Sequence, residues 1–270
     1  MAATISDKPL CLITGASAGI GAALATEYAR HGWNLALAAR REAPMIALAT
    51  KLKEDYGTES LILPTDLSDP EQNARLIKRI TAKSKVIDGL VNNAGFGLPG
   101  RYSDNAWSEH AGSLSLMLSG PCELTHLVIP GMQERGFGHI INVASLAGHL
   151  PGSKGHTTYA AIKSFLIKFS QSLNLELADK GIKVSALCPG FTYSEFHDVN
   201  GTRAQVSKMS DLMWMDADTV AEGAYTAVED GKAVYIPGAL NKTLSIVAKL
   251  LPQSFALHLM RKQSEKFRKG

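Results

Sequence analysis

Three cysteines in 270 residues, Cys11, Cys122 and Cys188, are odd in number, and they fall inside expected strands or a helix. They read as small buried apolar side chains, and no disulfide framework is implied. No segment reaches the about eighteen consecutive apolar residues of a membrane span. The start, Met1 to Lys8, lacks the charged-then-apolar order of a secretory leader, so the expected location is the cytoplasm. The eight histidines show no close metal-ligand spacing, and no metal site is expected. His149 and His156 are expected to line or flank a substrate cleft instead. Linkers, repeats and low-complexity tracts are also missing, which argues against a second domain. The formal net charge is only +3, and no broad basic face points to nucleic acid.

What the chain has is 45% apolar content, enough for a full core, with apolar strand-like runs alternating with helical patterns. Strands are expected near 9–14, 33–39, 60–64, 87–92, 138–144, 182–188 and 233–236. That order predicts one doubly wound α/β domain over 1–270, with a seven-stranded, mostly parallel sheet flanked by helices.

The run Leu10 to Ile13 leads into Thr14-Gly15-Ala16-Ser17-Ala18-Gly19-Ile20-Gly21, and a helical run from Ala22 follows. A glycine-rich turn between strand and helix suits a phosphate group. Glycine lets a pyrophosphate approach the backbone, and the helix start offers unpaired N–H groups and a positive dipole end. Glycines also cluster in ordinary turns, so the weight lies in the position after the first strand.

Tyr159 and Lys163 lie four residues apart in a helical segment from Thr158 to Ala178, so they share a face. Tyrosine has a pKa of about 10, and a cation one turn away favours the phenolate. Ser145 follows the strand-like run 138–144, at the carboxyl end where open α/β sheets bind ligands. Its hydroxyl can polarise a carbonyl oxygen, although serine at such a place is more often a cap or turn residue.

Together these residues resemble the short-chain dehydrogenase/reductase family, whose fold is a single Rossmann domain. The resemblance covers most of the chain. Asp66-Leu67 follows the strand at 61–63, Asn92-Asn93-Ala94-Gly95 follows Leu90-Val91, and Pro189-Gly190-Phe191-Thr192 follows the strand ending at Cys188. All stand in the family's order. The resemblance implies that Ser145 hydrogen-bonds the substrate oxygen and that Tyr159 exchanges a proton with it. Lys163 would hold the cofactor ribose and lower the tyrosine pKa. It also implies cofactor contacts from Gly15, Ser17, Gly19, Ile20, Gly21, Asp66, Leu67, Asn93, Ala94, Gly95, Tyr159, Lys163, Pro189, Gly190 and Thr192.

Cofactor choice follows from charge. In dinucleotide folds a carboxylate roughly twenty positions past the glycines bonds the ribose 2′-OH, and arginine accommodates a 2′-phosphate. The strand 34–39 runs into Arg40-Arg41, with Glu42 the first carboxylate, so NADP(H) is expected and Ser17 can assist. Of the two arginines, Arg41 is the one more readily read as simply facing solvent.

One position departs from the family. With Ser119-Gly120-Pro121 fixing the register, the place of the family's helix asparagine falls on Met117, which has no amide to orient a relay water. Proton relay would then run through Ser113, Ser115 or water alone. The preferred reading is a ketone/secondary-alcohol oxidoreductase slowed by Met117, and the alternative is a cofactor-binding regulatory subunit with little turnover.

A substrate lid is expected near 192–216, where Tyr193, Phe196, Val199, Met209, Leu212, Met213, Trp214 and Met215 favour an apolar carbonyl or alcohol substrate. Residues 261–270 hold five basic residues against Glu265. Behind the apolar residues of 244–259 this tail would suit an anionic membrane surface. The preferred reading is a C-terminal helix packed on its own subunit or across a homodimer or homotetramer interface.

Overall fold

The computed structural model describes residues 8–83, 85–194 and 213–266, with 262–266 as backbone alone. Seven parallel strands form the sheet: β1 (Leu10–Thr14), β2 (Asn34–Ala39), β3 (Ser60–Pro64), β4 (Gly89–Asn92), β5 (Gly138–Val143), β6 (Ile182–Leu187) and β9 (Val234–Tyr235). Their spatial order is β3-β2-β1-β4-β5-β6-β9. A short parallel pair, β7 (Phe191–Thr192) and β8 (Trp214–Met215), stands apart from it.

Alternate residues of each central strand feed opposite cores, which is why these strands read as continuous apolar runs. Cys11 and Ile13 of β1 face one layer with Leu35 and Leu37 of β2, while Leu10 and Leu12 face the other with Ala36 and Ala38. The first layer is closed by α1 (Gly19–Arg30), α2 (Glu42–Tyr56) and α7 (Ala217–Glu229). The second is closed by α3 (Gln72–Thr81), α5 (Gly120–Arg135) and α6 (Thr157–Leu177). All seven expected strands and the helix around Tyr159 lie within two residues of their expected limits.

Two local features matter for the site. Between α4 (Trp107–Leu114) and α5, residues Ser115–Ser119 form a π-helical turn that carries Met117. An extra residue in the turn breaks the 3.6 period and re-aims the side chains around it. At the carboxyl terminus, α8 (Ala239–Leu250) and α9 (Gln253–Lys266) follow β9.

Of the expected lid, Tyr193, Met213, Trp214 and Met215 are described, and Phe196, Val199, Met209 and Leu212 lie outside the described residues. Cys122 is only half-buried in α5, and Cys188 sits just past β6, fully buried.

Candidate active site

Neighbours β1 and β4 are connected in sequence through β2 and β3, so the chain leaves their carboxyl ends in opposite directions and opens a crevice. The glycine-rich turn lines it. Asn93 Nδ2 donates to the carbonyl oxygens of Thr14 (3.0 Å) and Gly15 (3.2 Å). Thr14 Oγ1 accepts from the N–H groups of Asn93 (2.9 Å) and Ala94 (3.1 Å). Thr14 was not among the expected site residues, although a threonine ending β1 was visible. It ties the two loops into one cradle.

A Cβ at Gly21 would overlap the Gly15 carbonyl and the Asn93 amide, so only glycine lets the α1 start fold back this closely. Ile20 and Leu67 turn their side chains towards the two cores, leaving only backbone groups for a ligand.

At the end of β2, Arg40 and Arg41 are both exposed, and Arg41 Nη2 donates to Ser17 Oγ at 3.2 Å. Arg41 is therefore turned to the glycine loop rather than simply to solvent. Asp66 accepts from Ser68 N–H (3.0 Å) and Ser68 Oγ (2.7 Å). These bonds, with the Arg40 charge adding, hold its carboxyl below the usual range. The corner combines two guanidinium groups with a hydroxyl, a donor set that fits a ribose 2′-phosphate.

Ser145 follows β5, and its Oγ accepts from Ala147 N–H at 3.1 Å while hydrogen-bonding Tyr159. It caps the turn and pairs with the tyrosine at once. Gly148, three residues on, lies so close to α6 that a Cβ would come within 2.7 Å of the Lys163 backbone, so glycine sets the approach of the Ser145 turn to the tyrosine helix. Leu146 N–H donates to Pro189 O at 2.9 Å, joining this turn to the Pro189–Thr192 loop. Thr192 is buried, with Oγ1 donating to Gly190 O at 3.3 Å.

Lys163 is buried, its Nζ donating to Val143 O at 2.6 Å and lying 5.5 Å from the Tyr159 ring centroid. Burial lowers its pKa to about 8, and burial raises Tyr159 to about 12 against the Ser145 hydrogen bond. The lowering of Tyr159 expected from Lys163 is thus not what this geometry gives. Desolvation of the phenolate outweighs the help it receives, so the tyrosine holds its proton.

Behind these groups runs a buried amide chain that sequence reasoning missed. Asn92 Nδ2 donates to Asn142 Oδ1 (2.8 Å), and Asn142 Nδ2 donates to Ser170 Oγ (2.9 Å). It bolts β4 and β5 to α6, about two helical turns beyond Lys163.

Met117 is buried among Ala144, Ile162 and Leu166, with its Sδ so near Gly95 that a Cβ there would come within 2.8 Å. Ser113 is buried and lines a small cleft beside Tyr159 with Tyr102, Asn105, His110 and His156. His156 is among the residues lining this small cleft, and His149 is not. This wall is more polar than an apolar substrate would suggest, and Tyr193, stacked on Trp214 at 4.8 Å, lies outside that lining. Among the described residues no group of three or more His, Cys, Asp or Glu is arranged to hold a metal ion.

The family model described as short chain dehydrogenase matches residues 9–204. The chain belongs to the short-chain dehydrogenase/reductase family. It is an oxidoreductase family, and the chain is 30% identical to ketoacyl reductase HetN of Nostoc sp. over 77% of its own length and 71% of that protein. Among solved structures, a short-chain dehydrogenase from Sphingobium yanoikuyae in complex with NADPH is 31% identical, with a TM-score of 0.78 over 91% of this chain and 97% of that one. The bulky-bulky ketone specific alcohol dehydrogenase from Comamonas testosteroni is 29% identical, with a TM-score of 0.75 over 92% and 96%.

Proposed function

We propose that this short-chain dehydrogenase/reductase is an NADP(H)-dependent oxidoreductase that interconverts a ketone and a secondary alcohol. The observation that carries the reading is the Ser145–Tyr159 hydrogen bond beside the buried Lys163, at the carboxyl end of β5 and next to the glycine cradle. NADP(H), when bound, supplies or accepts the hydride. Ser145 and Tyr159 orient the substrate oxygen, and the proton held on Tyr159 passes to that oxygen as reduction makes it basic. Lys163, held by Val143 O, supports the cofactor ribose.

NADP(H) rather than NAD(H) is supported by Arg40, Arg41 and Ser17, and by the NADPH held by the Sphingobium relative. The Gly15 to Gly21 turn, Asp66-Leu67, Asn93 to Gly95, and Pro189, Gly190 and Thr192 complete the proposed cofactor site. The substrate we assign has an apolar body towards Tyr193, Trp214 and Met215 and a polar group towards His110 and His156. The exposed Phe165 and Leu175 of α6 suit a homodimer or homotetramer interface.

The test is a panel of carbonyl compounds with the purified protein, following NADPH consumption. Turnover of bulky ketones is expected. A protein that binds NADPH and reduces none of them would instead be the regulatory subunit that Met117 allows.

A further inference from the structure

Helix α8 is built inside out. Its inward side is small and polar, with Asn241 and Ser245 buried, and Asn241 Nδ2 donating to Pro237 O at 2.9 Å. Its outward side is apolar, with Leu240, Val247, Ile246 (56% exposed) and Leu250 (78% exposed) within about a third of the helix circumference. Phe255, Leu257 and Leu259 of α9 are exposed as well, while Ala256 turns inward. Of the two placements expected for the C-terminal helix, packing on its own subunit does not hold for the apolar face of α8, which points outward.

The charge beside this face has one sign. Lys242 and Lys249, seven residues apart and exposed, run along one edge of the α8 stripe, and Arg261 is exposed on α9. Residues 231–264 contain no Asp or Glu, and 239–270 hold seven basic residues against Glu265 alone. A second copy docking face to face would set Lys242 and Lys249 against their counterparts, with no carboxylate in 231–264 to answer them. An anionic lipid surface answers them all, and its acyl boundary takes the apolar side chains.

We infer that α8 and α9 form a platform that docks this protein on an anionic bilayer surface. No helix among the described residues is long and apolar enough to cross a membrane, so the attachment is peripheral. The inward side of α8 packs Asn241 onto Gly190 and onto Met215 Sδ, next to the loop assigned above to cofactor and substrate. The inference rests on the surface alone, and its failure would leave the catalytic reading intact.

The experiment is co-sedimentation of the full chain with vesicles of phosphatidylcholine alone and of phosphatidylcholine mixed with phosphatidylglycerol, at low and high salt. Association with the anionic vesicles is expected, about tenfold or more above the neutral ones, and weakened by salt. Lys242→Glu with Lys249→Glu, and separately Ile246→Glu with Leu250→Glu, should each abolish it, with NADPH binding, melting temperature and sedimentation coefficient unchanged. No association with anionic vesicles, or equal association with neutral ones, would overturn the inference. So would an Ile246→Glu, Leu250→Glu protein that falls to a smaller oligomer, because a second copy would then be the occupant.

Discussion

Strand β5 carries a buried ionisable environment at each end, and the two are handled in opposite ways. Past its carboxyl end, Lys163 is hydrogen-bonded to Val143 O and sits beside the Ser145–Tyr159 pair. At its amino end, His139 is fully buried among Tyr28, Trp33, Phe137 and Tyr225, and neither ring nitrogen has a hydrogen-bond partner. Glu229 Oε1 lies 3.6 Å from its Nε2, too far for a hydrogen bond. Burial lowers the pKa of His139 to about 4, so it is neutral at physiological pH. One end positions polar groups towards an open crevice. The other seals a polar ring inside an aromatic cluster, where it can affect stability but has no route to a substrate.

That contrast is broken most forcefully from the site end. Lys163→Ala removes a buried, hydrogen-bonded cation, and turnover should fall by about 10²–10⁴-fold together with weaker NADPH binding. Steady-state kinetics and a cofactor titration check both halves. Loss of turnover with cofactor affinity unchanged would remove the ribose role.

From the other end, His139→Leu should leave kcat and KM alone and change how stability depends on pH. A histidine whose folded-state pKa lies below its unfolded value takes up its proton first in the unfolded chain. Stability therefore falls as pH drops from 6.5 towards about 4, and this contribution levels off below. The Leu variant should flatten that fall, by on the order of 3 kcal/mol at the acid end. Urea unfolding midpoints across this range measure it, and parallel slopes for the two proteins would mean that another group, such as Glu229, sets the acid sensitivity.

A smaller effect is expected where charge is exposed. Replacing Arg40 and Arg41 together by Ala should cut the preference for NADPH over NADH by about tenfold or somewhat more, since each charge-assisted bond is partly screened by solvent. Binding titrations with both reduced cofactors decide it.

Met117→Asn should matter least for turnover, by about twofold at most, because the side chain packs against Gly95 and Ile162 and an amide there meets apolar neighbours. Stability should drop by about 1–3 kcal/mol for the same reason. A clear rise in kcat with no loss of stability would restore the relay argument drawn from the family pattern.

How much was legible follows from how local each signal is. The central strands were readable because both faces are buried, and the order of the motifs along them gave the sheet. Tyr159 and Lys163 were readable because four residues on a helix bring them to one face. The His139 cluster was not, since Trp33 and Tyr225, which share a hydrogen bond at 3.2 Å, are 192 residues apart. Nor was the π-turn at Met117, which breaks the helical period it interrupts. The α8 pattern announced an apolar face, and periodicity alone cannot say whether such a face turns inward.

The most direct test of the site is Tyr159→Phe, which deletes the exchangeable proton and keeps the ring. With a ketone that the parent protein reduces, the account predicts loss of nearly all NADPH consumption while NADPH affinity and melting temperature stay close to the parent's. Retention of most of the parent rate by the Phe protein would contradict it.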